Sequence, residues 1–337
     1  MRIGILTQPL KSNYGGILQN WALQQVLIEL GHEPITIDLL PRPTLSRFIL
    51  STVKSLILWF IPSKRRKFIR WHYKRSPLFE KFVENKIRKT DVCHRYSMDL
   101  VQKYHLDALI VGSDQIWRPI YNRDVLYDMF LRFAKDFKGK KIAYAASFGV
   151  GQWEFTEEQT RICSSLVQTF DAVSVREESG VRLCKEYLKM NAIPVLDPTL
   201  LVEKEAYLEL CSHMPKKEEA FLAAYVLDAS GEVEEVIKEE ARKRGVKVRY
   251  YSADTHAELT VEEWISIFRD ASFIVTDSFH GTVFSIIFEK PFRLVANENR
   301  GGARFTDLLE KYHSGRLMEW RENSVLFLRN TLGNKRY

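Results

Sequence analysis

The residues best suited to chemistry lie where buried strands are predicted to end. Residues 273–276 are apolar or β-branched and lead through Asp277 and Ser278 to His280 and Gly281, after which a second apolar run begins. This pattern predicts a buried parallel strand, a tight turn that holds the histidine, and a buried helix that begins near the glycine. Ligands of open α/β sheets bind beyond the carboxyl ends of the strands, so the imidazole would face a ligand, and the free N–H groups of the helix would favour an anion. The alternative is a structural turn in which the imidazole bonds only the backbone and the preceding polar residues cap the helix.

Two more polar residues follow predicted strands. An apolar run at residues 107–111 leads into a polar turn that contains Asp114, and a strand at residues 171–175 ends at Arg176. An arginine at the carboxyl edge of a sheet would have its guanidinium free to bind a planar anion. The alternative is a salt bridge to one of the two glutamates that follow it, or to another acid.

A glycine turn follows the first predicted strand. Asn13, Gly15 and Gly16 lie between a strand at residues 2–7 and a helix whose apolar residues recur between residues 17 and 30. The two glycines either let a ligand approach the backbone or simply make the turn. Since the turn lacks both the GxGxxG dinucleotide spacing and the GxxxxGK[ST] phosphate loop, neither NAD nor ATP chemistry is supported.

Strands and helices alternate over most of the chain, which predicts an α/β fold with two Rossmann-like domains facing a central cleft. A chain of 337 residues is long for one core and fits two domains. We predict an N-terminal domain at residues 1–200, a C-terminal domain at residues 201–310 and a C-terminal tail at residues 311–337. Residues 44–91 interrupt the alternation and are predicted to form a basic helical insertion in the first domain.

The composition, with 45% hydrophobic and 28% charged residues, is typical of a soluble globular protein. The four cysteines are widely spaced and include no CxxC pair, which favours reduced thiols and a cytoplasmic location. The first apolar run is too short for a secretion signal. The eight histidines show no HxH or HxxxH spacing, so we expect no metal site.

The net charge of +7 is concentrated in one part of the chain. Residues 45–75 combine an apolar helix with a strongly cationic, aromatic-rich stretch. The apolar part is shorter than the roughly 20 residues that span a bilayer, but the pair matches an interfacial anchor on an anionic membrane surface. The alternative, a helical hairpin with a solvated basic face, stays open. No helix-turn-helix, zinc or RNP pattern accompanies the charge, so nucleic acid is not an expected partner.

Five short motifs, in this order along the chain, are similar to those of the polysaccharide pyruvyl transferase family. They are NYGGILQNWALQ at residues 13–24, GSDQIW at 112–117, VREESG at 175–180, LDPTLL at 196–201 and TDSFHGT at 276–282. Each motif is weak alone, but five in register are a specific signal. The resemblance spans nearly the whole chain, and residues 44–91 are its least familiar part.

The resemblance implies a GT-B-like pair of domains and a reaction in which phosphoenolpyruvate (PEP) gives its pyruvate group to two hydroxyls of a sugar, forming a cyclic ketal. PEP would be the donor substrate, and no cofactor is expected. The sugar acceptor is expected to be polyprenyl-linked, as in capsule or exopolysaccharide synthesis. This would place the enzyme at the inner face of the plasma membrane, with the basic segment towards the lipid.

The resemblance also implies roles for individual residues. His280 matches the motif histidine and would contact the phosphate or transfer a proton, since histidine suits acid–base work near neutral pH. Arg176 matches the strand-end arginine that clamps the PEP anion, and Asp114 is the candidate base or orienter of the acceptor hydroxyl. The other residues expected to bind substrate are Asn13, Gly15, Gly16, Ser278, Gly281, Thr282, Arg300 and Arg304.

One position departs from the family pattern. Many members carry arginine two residues before the motif histidine, where this chain has Ser278. A serine hydroxyl cannot replace a fixed cation, so we expect Arg300 or Arg304, in the glycine-rich stretch that follows, to supply the charge.

Two other functions remain open. A GT-B glycosyltransferase using a nucleotide sugar should carry a glutamate that holds the ribose, and residues 273–287 offer none. A catalytically silent binding homologue is favoured by the missing arginine.

Overall fold

The computed structural model describes residues 1–11, 13–41, 53, 75–228, 230–252, 259–295 and 302–333. The basic segment at residues 45–75 therefore lies almost entirely outside the described residues. The predicted cation Arg300 also lies outside them. For residues 302–304 only the backbone is described, so the predicted role of Arg304 also falls outside.

The first half of the chain forms a six-stranded parallel sheet. Its strands are β1 (Arg2–Leu6), β2 (Glu33–Thr36), β3 (Ala108–Val111), β4 (Lys140–Ala146), β5 (Ala172–Val175) and β6 (Ile193–Pro194). They lie in the order β2-β1-β3-β4-β5-β6. Central strands of such a sheet are covered on both faces, which is why β3 is a continuous apolar run, buried at every position.

A second parallel sheet follows. Its strands are β7 (Phe221–Val226), β8 (Lys247–Ser252), β9 (Phe273–Thr276) and β10 (Phe292–Leu294), in the order β8-β7-β9-β10. The two sheets share one pattern of strand order. In the first, β2 lies on one side of β1, and β3 and β4 lie on the other. In the second, β8 lies on one side of β7, and β9 and β10 lie on the other. The strand order therefore reverses between β1 and β3 and between β7 and β9, where doubly wound sheets bind their ligands. The predicted α/β class with two Rossmann-like units is confirmed.

Helices connect the strands. The described ones are α1 (Tyr14–Glu29), α2 (Pro77–Lys86), α3 (Met98–Lys103), α4 (Glu157–Val167), α5 (Glu178–Leu183), α6 (Lys204–Leu210), α7 (Gly231–Arg244), α8 (Val261–Asp270), α9 (Phe279–Ile287), α10 (Gly302–His313) and α11 (Leu317–Leu332). Capping boxes fix the starts of α4 and α8, since a threonine and the residue three positions later exchange hydrogen bonds in each.

The helix predicted after residues 273–276, which form β9, begins earlier than expected. We predicted a turn holding His280 and a helix beginning near Gly281, but α9 begins at Phe279, so His280 lies in its first turn. The reason is the cap, because the Oγ of Ser278 accepts a hydrogen bond from the N–H of Gly281 at 3.2 Å.

One apolar core joins the two sheets. It contains Ile5 of β1, Ala223 of β7 and Phe284 of α9, together with Leu328 of the last helix. The predicted tail at residues 311–337 begins inside α10, and most of it forms α11. This helix packs back on the first half, where the hydroxyl of Ser324 accepts a hydrogen bond from the Leu196 N–H at 2.9 Å.

The described end of the predicted insertion is anchored by a buried ion pair. The guanidinium of Arg75 donates to both carboxylate oxygens of Asp38 at 2.8 Å and to the Leu10 carbonyl at 2.6 Å. Leu10 lies in the segment that joins β1 to α1, so Arg75 ties the described part of the insertion to that segment. None of the described helices is long and apolar enough to cross a bilayer.

Candidate active site

The amino ends of α1, which follows a strand of the first sheet, and α9, which follows a strand of the second, lie close together. The carboxamide oxygen of Asn13 caps α1 by accepting from the Gly16 N–H at 3.1 Å, while Ser278 caps α9. Gly15 lies against His280 so closely that a Cβ on the glycine would lie 2.0 Å from Nδ1 of the imidazole. The first-turn N–H groups of both helices and their dipoles thus converge, as suits an anion.

Asp197 lies between these helix ends and connects them. It caps a short 3₁₀ turn (Pro198–Leu200), and its Oδ1 accepts from the N–H and the hydroxyl of Thr199 at 3.0 and 2.7 Å. Its Oδ2 accepts from Arg176 Nη1 at 2.8 Å and from the Ser113 hydroxyl at 3.2 Å. The same oxygen lies 3.7 Å from Nε2 of His280, an ion-pair distance rather than a hydrogen bond.

Arg176 is buried at the carboxyl edge of β5. Besides Asp197, its Nη2 lies 3.6 Å from Oδ1 of Asp114. The guanidinium carbon lies 4.4 Å from the ring centroid of Phe279, which comes from the second half of the chain. The expectation of a free guanidinium is therefore only partly right, because Asp197 occupies Nη1. Its ion-pair partners are these two aspartates and not the glutamates that follow it in sequence.

Asp114 follows β3 in the left-handed region, with φ of 75°. Its Oδ1 accepts from the Gln115 N–H at 2.8 Å. The preceding Ser113 is held by Gln19 of α1, whose side-chain oxygen accepts from the Ser113 N–H at 3.1 Å. The turn after β3 is therefore bound to the same helix whose first turn touches His280.

Glu177 is a buried carboxylate next to this cluster. Its Oε1 accepts from the Ser147 hydroxyl, the Phe148 N–H and the Gly149 N–H at 2.9, 2.9 and 3.2 Å. These groups belong to the segment after β4, so Glu177 fixes that segment beside Arg176. Its Oε2 is also buried, and no described residue hydrogen-bonds to it.

The charges of the cluster stabilise one another. Burial alone would raise the pKa of the Asp197 carboxyl, but contacts with His280, Arg176 and Thr199 lower that pKa well below its usual range. Burial opposes the charge of Arg176, but attraction to Asp197, Asp114 and Glu177 raises the pKa of its guanidinium above the ordinary value. Near neutral pH the site therefore holds an ionised aspartate and a charged arginine in contact.

Three buried nitrogens in the cluster have unused hydrogen-bonding capacity. Within the described part of the chain, Nε and Nη2 of Arg176 and Nε2 of His280 have no hydrogen-bond partner. An unsatisfied buried polar group typically costs about 1–3 kcal/mol. Guanidinium N–H groups that lack a partner are suited to binding the oxygens of an anion.

The sequence-predicted residues divide into three groups. His280, Arg176, Asp114 and Gly15 come together around Asp197. Asn13 and Ser278 cap the two helices, Gly16 and Gly281 donate to those caps, and the Thr282 hydroxyl donates to the Ser278 carbonyl at 3.1 Å. Arg300 and the side chain of Arg304 lie outside the described residues. The substrate contacts of all these residues stay predictions.

Sequence reasoning missed the residue at the centre. In the sequence, Asp197 was identified only as part of a family motif. No site role was predicted for Ser113, Gln19 or Glu177. The available signal was an aspartate directly before a proline at a predicted domain border, a pattern typical of a capping residue that starts a helical turn. Among the described residues, no group of three potential ligands is arranged to hold a metal ion.

Comparisons with known proteins bear on the family and the fold. A family model described as polysaccharide pyruvyl transferase matches residues 13–299. No curated protein matches the sequence. Among solved structures the chain is similar to a UDP-GlcNAc 2-epimerase from Neisseria meningitidis bound to UDP-GlcNAc, with 12% identity, a TM-score of 0.47 and coverage of 98% of this chain and 99% of that one. It is also similar to MnaA of S. aureus in a co-structure with UDP, with 10% identity, a TM-score of 0.46 and coverage of 96% and 90%.

Proposed function

Because the chain belongs to the polysaccharide pyruvyl transferase family, we propose that it transfers the pyruvate group of PEP to two hydroxyls of a sugar as a cyclic ketal. The observation that carries this proposal is the set of three buried nitrogens without hydrogen-bond partners on Arg176 and His280, next to the amino ends of α1 and α9. PEP offers a phosphate and a carboxylate, the acceptors that guanidinium and imidazolium groups bind best. Since the packed ends of α1 and α9 cover these nitrogens, the proposal requires the two helix ends to separate when PEP enters.

The chemistry assigns work to each residue. A proton added to the methylene carbon of PEP creates an oxocarbenium-like centre, which the first sugar hydroxyl attacks while losing its proton to a base. The bond to the phosphate then breaks, inorganic phosphate leaves, and the second hydroxyl attacks and loses its proton as the ketal ring closes. His280 either transfers the first proton or holds the leaving phosphate, Arg176 binds the anion, and Asp114 accepts a proton from an acceptor hydroxyl or orients it.

We further propose a polyprenyl-linked acceptor at the inner face of the plasma membrane. The support is the cationic composition of residues 45–75, together with the anchoring of its last residue, Arg75, on the segment between β1 and α1. Deleting residues 47–74 should leave a folded protein that no longer sediments with anionic vesicles. Sedimentation of the deletion protein would refute the membrane role.

The central experiment measures phosphate released from PEP by the purified protein, with galactoside, N-acetylhexosamine and lipid-linked acceptors. We expect acceptor-dependent release that falls at least about 100-fold in His280→Ala, a typical loss for a general acid–base group. His213→Ala removes an exposed histidine in the segment after α6 and is the matched control. Failure of the wild type to bind PEP would refute the proposal, and PEP binding with no turnover on any acceptor would support a silent homologue.

A further inference from the structure

Asp197 places a negative charge where the proposed donor site needs positive charge. Its side chain is fully buried, so water does not screen it, and its Oδ1 is held by Thr199 of its own helical turn. The carboxylate orientation is therefore fixed by the local chain. Only Oδ2 is directed at Arg176 and His280, with Arg176 Nη1 at 2.8 Å and His280 Nε2 at 3.7 Å.

Nε2 of His280 is also one of the three nitrogens that the donor anion would approach, and Nη1 belongs to the same guanidinium as the other two, Nε and Nη2 of Arg176. We propose that Asp197 is the internal counter-anion of this site, a positioning residue that holds Arg176 and His280 in place and competes with PEP and inorganic phosphate for their charge. This inference rests on the proposed function for the identity of the donor, but the competition itself concerns any phosphate-bearing anion.

Such competition has a use in the reaction. Inorganic phosphate is a product, and a site with an uncompensated guanidinium beside an imidazole would retain it. A fixed carboxylate lowers the affinity for the product and still keeps the arginine and the imidazole oriented. Asp114 also lowers the affinity for phosphate, but more weakly, since its carboxylate lies 3.6 Å from Nη2 of Arg176.

The test is the affinity of Asp197→Asn for inorganic phosphate and for PEP, measured by calorimetric titration. The amide keeps an acceptor for Thr199 but removes the charge. We expect phosphate to bind roughly tenfold more tightly, which corresponds to about 1.4 kcal/mol, because the repulsion by a buried carboxylate is lost. PEP should also bind more tightly, while turnover falls because Arg176 and His280 lose their shared acceptor.

Asp277→Asn is the matched control. Asp277 is also buried and precedes the capped start of α9, but its two oxygens accept from the Leu227 and Asp228 N–H groups at 2.6 and 2.9 Å. We expect its phosphate affinity to stay near that of the wild type. Adding Arg176→Met to Asp197→Asn should abolish the gain, because the gain acts through the guanidinium.

The outcomes separate this inference from the proposed function. Equal or weaker phosphate binding by Asp197→Asn would overturn the counter-anion role even if the wild type turns over PEP. Tighter phosphate binding by the variant, with no PEP turnover by the wild type, would support the counter-anion role and refute pyruvyl transfer.

Discussion

At the scale of single residues, the site depends on how closely two helix ends approach each other. Gly15 lies on α1, next to the first sheet in sequence, and His280 lies on α9, next to the second. The imidazole occupies the space that a side chain at residue 15 would need. Asp197 then faces the imidazole from the opposite edge through Nε2. The ring is therefore held between a backbone and a carboxylate, which limits its rotation and directs Nε2 at Asp197.

Gly15→Ala tests this close approach. The added Cβ would lie 2.0 Å from Nδ1 and 2.3 Å from Cγ of His280, so the ring or the helix must move. We expect PEP-dependent phosphate release to fall about 100-fold, the size of loss that a displacement of about 1 Å can cause.

Gly16→Ala is the matched variant, because its Cβ would meet only Asn13, at 3.4 Å. It should lose far less activity, and alanine in the first turn favours the helix slightly. Wild-type turnover by Gly15→Ala would mean that His280 leaves α1 during the reaction.

At the scale of elements, caps decide where the amino ends of the helices lie. Ser278 fixes the start of α9, and its N–H in turn donates to the Thr276 hydroxyl at 3.0 Å. The serine that departs from the family pattern therefore has a structural role of its own. Arg176 also contacts this helix, since its guanidinium carbon lies 4.4 Å from the ring centroid of Phe279.

Ser278→Ala should lower the free energy of unfolding by about 1 kcal/mol, the usual cost of losing a serine cap. Urea denaturation measures this cost. Turnover of PEP should also fall, since the first turn of α9 carries His280.

Ser230→Ala is the control for the cap alone. Ser230 caps α7 by accepting from the Val233 N–H at 3.3 Å and takes no part in the site. It should lose similar stability and keep its turnover. Equal losses of turnover in the two variants would indicate that the activity follows stability and not the position of His280.

At the scale of the whole molecule, the last helix joins the two halves into one core. Leu328 of α11 is fully buried, and the Phe327 ring lies 6.1 Å from that of Tyr144 in β4. The Nζ of Lys140 also donates to the Thr331 carbonyl. The end of the chain therefore stabilises the first sheet, from which it is distant in sequence.

Leu328→Ala should cost about 2–5 kcal/mol, as buried leucine truncations do. Leu326 lies on the same helix but is 46% exposed, and Leu326→Ala should change stability by no more than about 0.5 kcal/mol. The difference between the two urea midpoints checks the packing of α11. Equal midpoints would contradict it.

Much of the fold was predictable because strand and helix patterns are local. The apolar runs of β3, β7 and β9, the periodic residues of α8 and the turns between them lie within short stretches of sequence. Placing Arg176, Asp114 and His280 at strand ends followed from the same patterns. The predicted start of α9 was two residues too late. Its actual start depends on the Ser278 hydroxyl accepting a hydrogen bond from the N–H three residues later, which the apolar pattern does not encode.

The sequence by itself determined the family, the α/β class and the polar residues at the carboxyl edges of the strands. These features depend on motifs and on apolar periodicity, which involve only residues close together in sequence. Only the tertiary structure decided that Asp197 joins Arg176 and His280, that Gly15 packs on the imidazole and that α11 returns to the first sheet. The physical reason is distance along the chain. These contacts depend on how two sheets and their connections are placed relative to one another, and no local pattern encodes that placement.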